Sequence, residues 1–385
     1  MPQKLKEKSP CLSDGQTKVF PSVYNPFAYA QGTGAPCNND YIDGFDFCQG
    51  DSDVELLKKF RSKKSFNEVL AEAYRRNGDF KKFVRVKDCG TFLEFRQYET
   101  DVNSGVYGDM HLHNANFCRD RLCPLCSWRR TLKIFSQVSR LVDVLQNDYK
   151  FIFLTLTVPN CTAEELPQTI DRLLKSFKKL MRLKKVNKCI YGYFRALEVT
   201  VSKGDFNILT RGTYHPHLHI ILAVKPSYFN RNNITYISHS EWLDMWRRSY
   251  GDNNIQNVNV KTCKPKKETA ADKTLSSAVA EIAKYCVKDS DYLIGDFLDI
   301  ENRVKTLNLA LKGRRLTQYG GCFYNLFKSL NLNDVESSDI DLTDEVDIIN
   351  PELNYIVSRY KWSTGYYNLF SVERHINSVY EVLNE

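Results

Sequence analysis

Apolar positions change period along this chain, and the changes mark its elements. Residues 53–76 (DVELLKKFRSKKSFNEVLAEAYRR) read as one or two helices. Residues 129–146 (RRTLKIFSQVSRLVDVLQ) form another, with Leu132, Phe135, Val138, Leu141, Val142 and Leu145 along one stripe. At residue 151 the pattern turns strand-like: FIFLTLTVPN is an apolar run closed by Pro159 and Asn160. TAEELPQTIDRLLKSFKKLMRL returns to helical spacing, with Thr162 as a cap and Glu165 three residues on. Then come a strand (YGYFRALEVTV), a turn-rich connection (SKGDFNILTRG) and a second strand (HLHIILAV). A helix (SHSEWLDMWRRSY), a short strand (VNVKTCK) and a helix (TLSSAVAEIAKYCVKDSDYL) follow. Residues 84–127 read as short strand-like pieces around a cysteine cluster, and residues 1–50, rich in Pro, Gly, Ser and Asn, as irregular chain. The order β–α–β–β–α–β–α, with a hairpin at its centre, predicts an α+β fold: a central antiparallel sheet flanked by helices. Four segments result: the irregular 1–50, a helical and metal-binding module over 51–130, the main domain over 131–300, and a C-terminal segment over 301–385.

Composition narrows the picture. The chain has 385 residues, enough for two or three domains, and a formal net charge of +8. That surplus is uneven. Arg119 to Lys188 is basic, with RLLKSFKKLMRLKKVNK its densest run, whereas Asp334 to Glu352 is acidic. A basic block in a chain with 22 tyrosines and 22 phenylalanines suits a polyanion such as nucleic acid as well as it suits a solvated helix face. No apolar run is long enough to span a membrane, and MPQKLKEKSPCLSDGQ has no apolar core of a secretory signal. Twelve cysteines are then expected as thiols or metal ligands in a cytoplasmic protein.

Three of the seven histidines, His215, His217 and His219, lead into the strand IILAV. Side chains alternate along a strand, so His217 and His219 share one face while Leu218, Ile220 and Leu222 take the other. Pro216 marks the strand's start or an edge, because it cannot donate to a ladder. Glu198 is the lone acid of the preceding strand, a costly place for a carboxylate without a partner. If the two strands pair as a hairpin, Glu198 faces both histidines, and the three can hold Mg²⁺ or Mn²⁺ with positions left for substrate oxygens. A second site is written in C-RDRL-C-PL-C: Cys118, Cys123 and Cys126 suggest a structural Zn²⁺, with Cys89 favoured as fourth ligand over His111 and His113. Arg129 and Arg130 follow directly and are candidates for DNA phosphates. In the last helix Leu275, Ala278, Val279, Ile282 and Cys286 form the apolar stripe, and Glu281, Tyr285 and Lys288 sit at spacings that can bring them to one face. A phenol near a divalent cation can attack a phosphate, Lys288 would steady the charge, and Glu281 can deprotonate a water.

FLTLTVPN, HPHLHIILAV and EIAKYCVKDSDY, in that order and separated by roughly 60 residues, resemble the three motifs of rolling-circle replication initiators. These are plasmid-encoded members of the HUH (His, hydrophobic, His) endonuclease superfamily. The match is closest to the single-tyrosine initiators of small plasmids from Gram-positive bacteria. NFCRDRLCPLCSWRR and LKGRRLTQYGG also look like that family, and the resemblance runs from about residue 86 to 365. It implies that a metal on His217 and His219 orients the scissile phosphate of single-stranded DNA at a plasmid origin. Tyr285 then forms a 5′-phosphotyrosine link and frees a 3′-OH for a polymerase, and Glu281 serves the closing step. Origin DNA, a host helicase and a host polymerase are the implied partners, and a dimer is compatible with this. Glu198 as third ligand rests on strand pairing and on analogy with relatives. Tyr292 is read as structural, because two-tyrosine relatives space theirs more closely. Other readings are a relaxase, whose tyrosine usually precedes the histidine motif, a single-strand transposase, generally much shorter, or a zinc-dependent DNA-binding regulator with no chemistry.

Overall fold

The apolar runs assemble two antiparallel sheets, each backed by amphipathic helices. The computed structural model describes residues 51–202, 212–230, 235–263, 279–280, 282–283, 287–337, 340 and 353–376. The larger sheet has five strands in the order β6-β3-β5-β4-β7. They are β3 (Lys150–Thr157), β4 (Gly192–Val201), β5 (Tyr214–Val224), β6 (Val258–Cys263) and β7 (Thr317–Gly321). β4 and β5 pair as the expected hairpin, and β5, flanked on both sides, is buried along nearly its whole length. β3 ends opposite His217, so Pro216 lies past the last β3 pair, where its missing N–H breaks no β3–β5 rung.

One face of this sheet carries Leu154, Leu197, Leu218, Ile220 and Leu222, all at most 1% exposed. It lies under α4 (Leu166–Met181) and α6 (His239–Tyr250): Phe177 stands edge-on to Tyr193, and Trp246 donates its indole N–H to the Thr157 carbonyl at 2.8 Å. α6 starts in a capping box between Ser238 and Glu241 and ends on Gly251 at φ 79, a left-handed turn that suits glycine. The opposite face is covered at one end by α3 (Pro124–Leu145) and α8 (Cys322–Ser329), through the contacts Phe151–Phe323, Phe194–Tyr319 and Tyr319–Phe327 and a Tyr319–Gln137 hydrogen bond. The other end of that face carries the histidines. The Gly-Gly of LTQYGG has a steric reason: a Cβ on Gly320 would stand 2.3 Å from the Tyr193 ring.

The second sheet has the order β2-β1-β8-β9. β1 (Phe92–Tyr98) and β2 (His111–Ala115) come from the cysteine-bearing module, whereas β8 (Tyr355–Ser363) and β9 (Tyr366–His375) come from the C-terminal segment. β8 and β9 join through Thr364 and Gly365, both at positive φ, the turn geometry that matches strand twist. α1 (Asp51–Arg76) packs on this sheet through Phe60, which meets Phe95 and Tyr367 edge-on.

Several expectations change. Phe80–Asp88 is a helix, α2, begun by Asp79 accepting from the Lys82 amide, although its Val-Arg-Val run alternates like a strand. In α3 Ile134 is buried and Phe135 is 37% exposed, so the stripe is rotated from the one expected. Thr162 and Glu165 do exchange hydrogen bonds, but in the turn before α4, which starts at Leu166. The single helix expected over 274–293 does not run through. Lys288 is extended (φ −74, ψ 133) and caps a separate turn, Asp289–Tyr292, so helical spacing does not set Lys288 beside Tyr285. Tyr285, Glu281, Leu275, Ala278 and Cys286 lie outside the described residues, whereas Val279 and Ile282 are buried as the stripe requires.

Candidate metal centres and the tyrosine segment

Register builds the first centre. Glu198 on β4 stands directly opposite His217 on β5, and His219 lies one pleat along. All three side chains are buried. His219 Nε2 is 3.0 Å from Glu198 Oε2, His217 Nε2 is 3.5 Å from the same oxygen, and the two imidazole Nε2 atoms are 3.1 Å apart. Bonds of about 2.1 Å at right angles, as Mg²⁺ demands, set neighbouring donor atoms about 3.0 Å apart. The donor set therefore fits such an ion. Outer contacts aim it: His217 Nδ1 lies 3.1 Å from the His215 carbonyl, an acceptor only, so Nδ1 carries the proton and Nε2 presents its lone pair. His219 Nδ1 meets Thr155 Oγ1 at 3.2 Å, and Phe153 stacks on its ring. Burial acts to raise the Glu198 carboxyl, but hydrogen bonds and charge from both histidines outweigh it and hold the group well below the usual carboxylate range. His215 stays outside the set, bonded to Asn160 Oδ1 at 2.9 Å. Burial, with His217 beside it, lowers its pKa to about 4.

The second centre joins the α2 terminus, the loop after β2 and the start of α3. Cys89, Cys118, Cys123 and Cys126 are all buried and converge. Their sulfurs lie 3.5 Å (Cys89–Cys123), 3.6 Å (Cys89–Cys126) and 3.7 Å (Cys118–Cys126) apart. Tetrahedral zinc with bonds of about 2.3 Å requires sulfurs about 3.8 Å apart. Backbone amides of Cys118, Arg119 and Asp120 point at the sulfurs, as thiolates need. Hydrogen bonds from Cys123, Cys126 and Cys89 hold Cys118 well below the usual thiol range, while burial pushes the other three thiols up. Metal binding takes thiolates, so a cation seated here would draw off the thiol protons. Asn67 of α1 completes the surround. Its Oδ1 is 3.2 Å from Cys123 Sγ while its buried Nδ2 has no partner among the described residues, so a flipped amide would donate to the thiolate. His111 and His113 lie on β2 and are not in the cluster.

Arg129 and Arg130 do not reach toward DNA. Each is 3% exposed; Arg129 Nε donates to the Ile340 carbonyl, and Arg130 donates to the carbonyls of Asp120 and Arg119, bracing the cysteine loop. The start of the acidic stretch is structural too: Glu336 accepts from the amides of Leu316 and Thr317 and from Arg121.

The segment after Tyr285 is tied to the cysteine module. Tyr292 is buried and donates its hydroxyl to the Leu122 carbonyl, next to Cys123, and Asp289 pairs with Lys63 of α1 at 2.6 Å. Lys288 lines a small cavity of about 180 Å³ with Lys63, Trp128 and Tyr292. Sequence reasoning missed Thr155 and Asn67. Thr155 had a signal, as a polar residue within FLTLTV; Asn67 had none, being 56 positions from Cys123.

The fold and the buried His-Leu-His and glutamate set place the protein in a class: α+β, with an antiparallel sheet of HUH type and a four-cysteine module beside it. Comparison with known proteins goes further. The family model described as "Replication protein" matches residues 109–368. A "Protein rep" of Lentilactobacillus hilgardii is 34% identical over 316 residues, 81% of this chain and 95% of that one. Those of Lactiplantibacillus plantarum (37% over 290 residues, 74% and 86%) and Streptococcus pneumoniae (35% over 294 residues, 75% and 84%) are similar. No solved structure matches the chain. The chain belongs to this replication protein family, the Rep initiators of plasmid rolling-circle replication.

Proposed function

We propose that this Rep protein is a site-specific single-strand DNA endonuclease and strand transferase that nicks its plasmid origin with Tyr285. The observation that carries the proposal is the convergence of Glu198, His217 and His219 on one buried point of the sheet. A carboxylate and two imidazoles with aimed lone pairs are a donor set for Mg²⁺ or Mn²⁺, which when bound would polarise a phosphate oxygen. The protein's own part is to hold those donors in place through Thr155 and the His215 carbonyl, and to bring the phenol to the phosphorus.

Tyr285 Oη attacks the phosphorus and its proton passes to water, which in turn can protonate the leaving oxygen. The bond from phosphorus to the 3′ oxygen breaks, and that oxygen takes a proton to become the 3′-OH primer. The DNA 5′ phosphate stays on the tyrosine. Glu281 takes the proton from water or an attacking hydroxyl when the round closes. The four cysteines hold a structural Zn²⁺. Cleavage of a single-stranded origin oligonucleotide in Mn²⁺ tests the reading. The parent protein is expected to leave a covalent adduct and Tyr285→Phe none, with origin binding kept. An adduct persisting in Tyr285→Phe would move the nucleophile elsewhere, and no cleavage by the parent would favour a regulator without chemistry.

A further inference from the structure

The basic block of α4 is not used by this mechanism. Its apolar side (Ile170, Leu173, Phe177, Leu180) is buried under the sheet face opposite the histidines, which turns Arg172, Lys175, Lys179 and Arg182 outward. Those four recur at spacings of three and four, one row along the helix. The row borders a cleft of about 450 Å³ between α4 and α6, with Ser176 and Ser249 among its lining residues. The one acid in the lining, Asp171, is held by two bonds of 2.8 Å to Arg314, so the cleft keeps a cationic surplus. Arg172 and Lys179 spend donors on the carbonyls of Tyr250, Gly251 and Arg248, which fixes the α6 end and masks its negative pole. Arg172, Lys175, Lys179 and Arg182 are all exposed, so the row presents its charge to solvent.

We propose that this cleft and row form a seat for backbone phosphates of duplex origin DNA. The seat lies on the face of the sheet opposite the metal centre, so the double-stranded part of the origin is gripped apart from the strand being cut. This rests on the origin-binding part of the proposed function and not on the chemistry of the nick.

The test measures binding of the full-length protein to a labelled origin duplex across a NaCl series, with cleavage of a single-stranded oligonucleotide as a separate readout. For Lys175→Ala/Arg182→Ala the slope of log K against log salt is expected to flatten by about 1.8, close to 0.9 for each lost phosphate contact. Scrambled duplex should lose as much as origin duplex, and oligonucleotide cleavage should equal the parent's. An unchanged slope in the double variant, or a loss confined to the origin sequence, would overturn the phosphate seat. Failure of the parent to cleave would instead sink the nicking mechanism and leave this proposal standing.

Discussion

Replacing Glu198 by Gln tests the metal centre with little change of shape. The carboxylate is buried, 3.0 and 3.5 Å from the two imidazole Nε2 atoms, and supplies the only negative charge in the set. At an effective dielectric of 20, unit charges 4 Å apart interact by about 4 kcal/mol. Even with an amide oxygen still present as a weak ligand, the variant is expected to lose at least ~2.7 kcal/mol of ion affinity, about 100-fold in Kd. Thermal unfolding in a Mn²⁺ series reads this out. At one hundred times the parent's Kd, the ion stabilises the parent by about 2.7 kcal/mol, and the variant by only ~0.4 kcal/mol. The gap of ~2.3 kcal/mol corresponds to about 5 °C of melting shift at roughly 2 °C per kcal/mol. Glu198→Gln should melt close to the parent without metal and respond little to its addition, and oligonucleotide cleavage should fall with the same Kd. A variant that keeps the parent's Mn²⁺-dependent shift would refute the assignment of Glu198 as a ligand.

Further predictions concern the second centre, the tyrosine segment and pH. Purified protein should carry one zinc per chain by elemental analysis, and Cys126→Ser should lose it and become sensitive to proteolysis around residues 118–126; retained zinc would contradict the four-sulfur site. Glu281→Ala should nick at the parent's rate but fail to close the round, measured as accumulation of multimeric single strands; equal loss of both steps would remove its separate role. His215, with a folded pKa of about 4 against about 6.5 when unfolded, is protonated first in the unfolded chain as pH falls. Its contribution to stability is thus complete above about pH 6.5 and lost between there and about pH 4. His215→Asn should flatten the melting profile across that window, and an unchanged profile would show that other groups set it.

Local chemistry made much of the site legible in the sequence. The period of two put His217 and His219 on one face, and an acid stranded in FRALEVTV had to be opposite something, which the hairpin register shows to be His217. Three cysteines within nine residues announced the second centre. Long-range pairing was not legible. Nothing in Tyr355–Ser363 says that it will bond to Phe92–Tyr98, some 260 residues earlier, because both runs fit any half-buried strand. Arg129 and Arg130 looked like DNA contacts by charge alone, whereas the carbonyls they cap, of Ile340 and of Arg119 and Asp120, are brought to them only by the folded chain. The break at Lys288 was hidden because VKDSDY has acceptable helix formers, and the tertiary bonds of Tyr292 and Asp289 decide its course.

The most direct measurement is mass spectrometry of the peptide that stays bound to an origin oligonucleotide after cleavage in Mn²⁺. The account predicts a single cross-linked peptide whose modified residue is Tyr285, joined through the DNA's 5′ phosphate. An adduct on Tyr292 or any other side chain, or cleaved DNA with no protein attached, would contradict it.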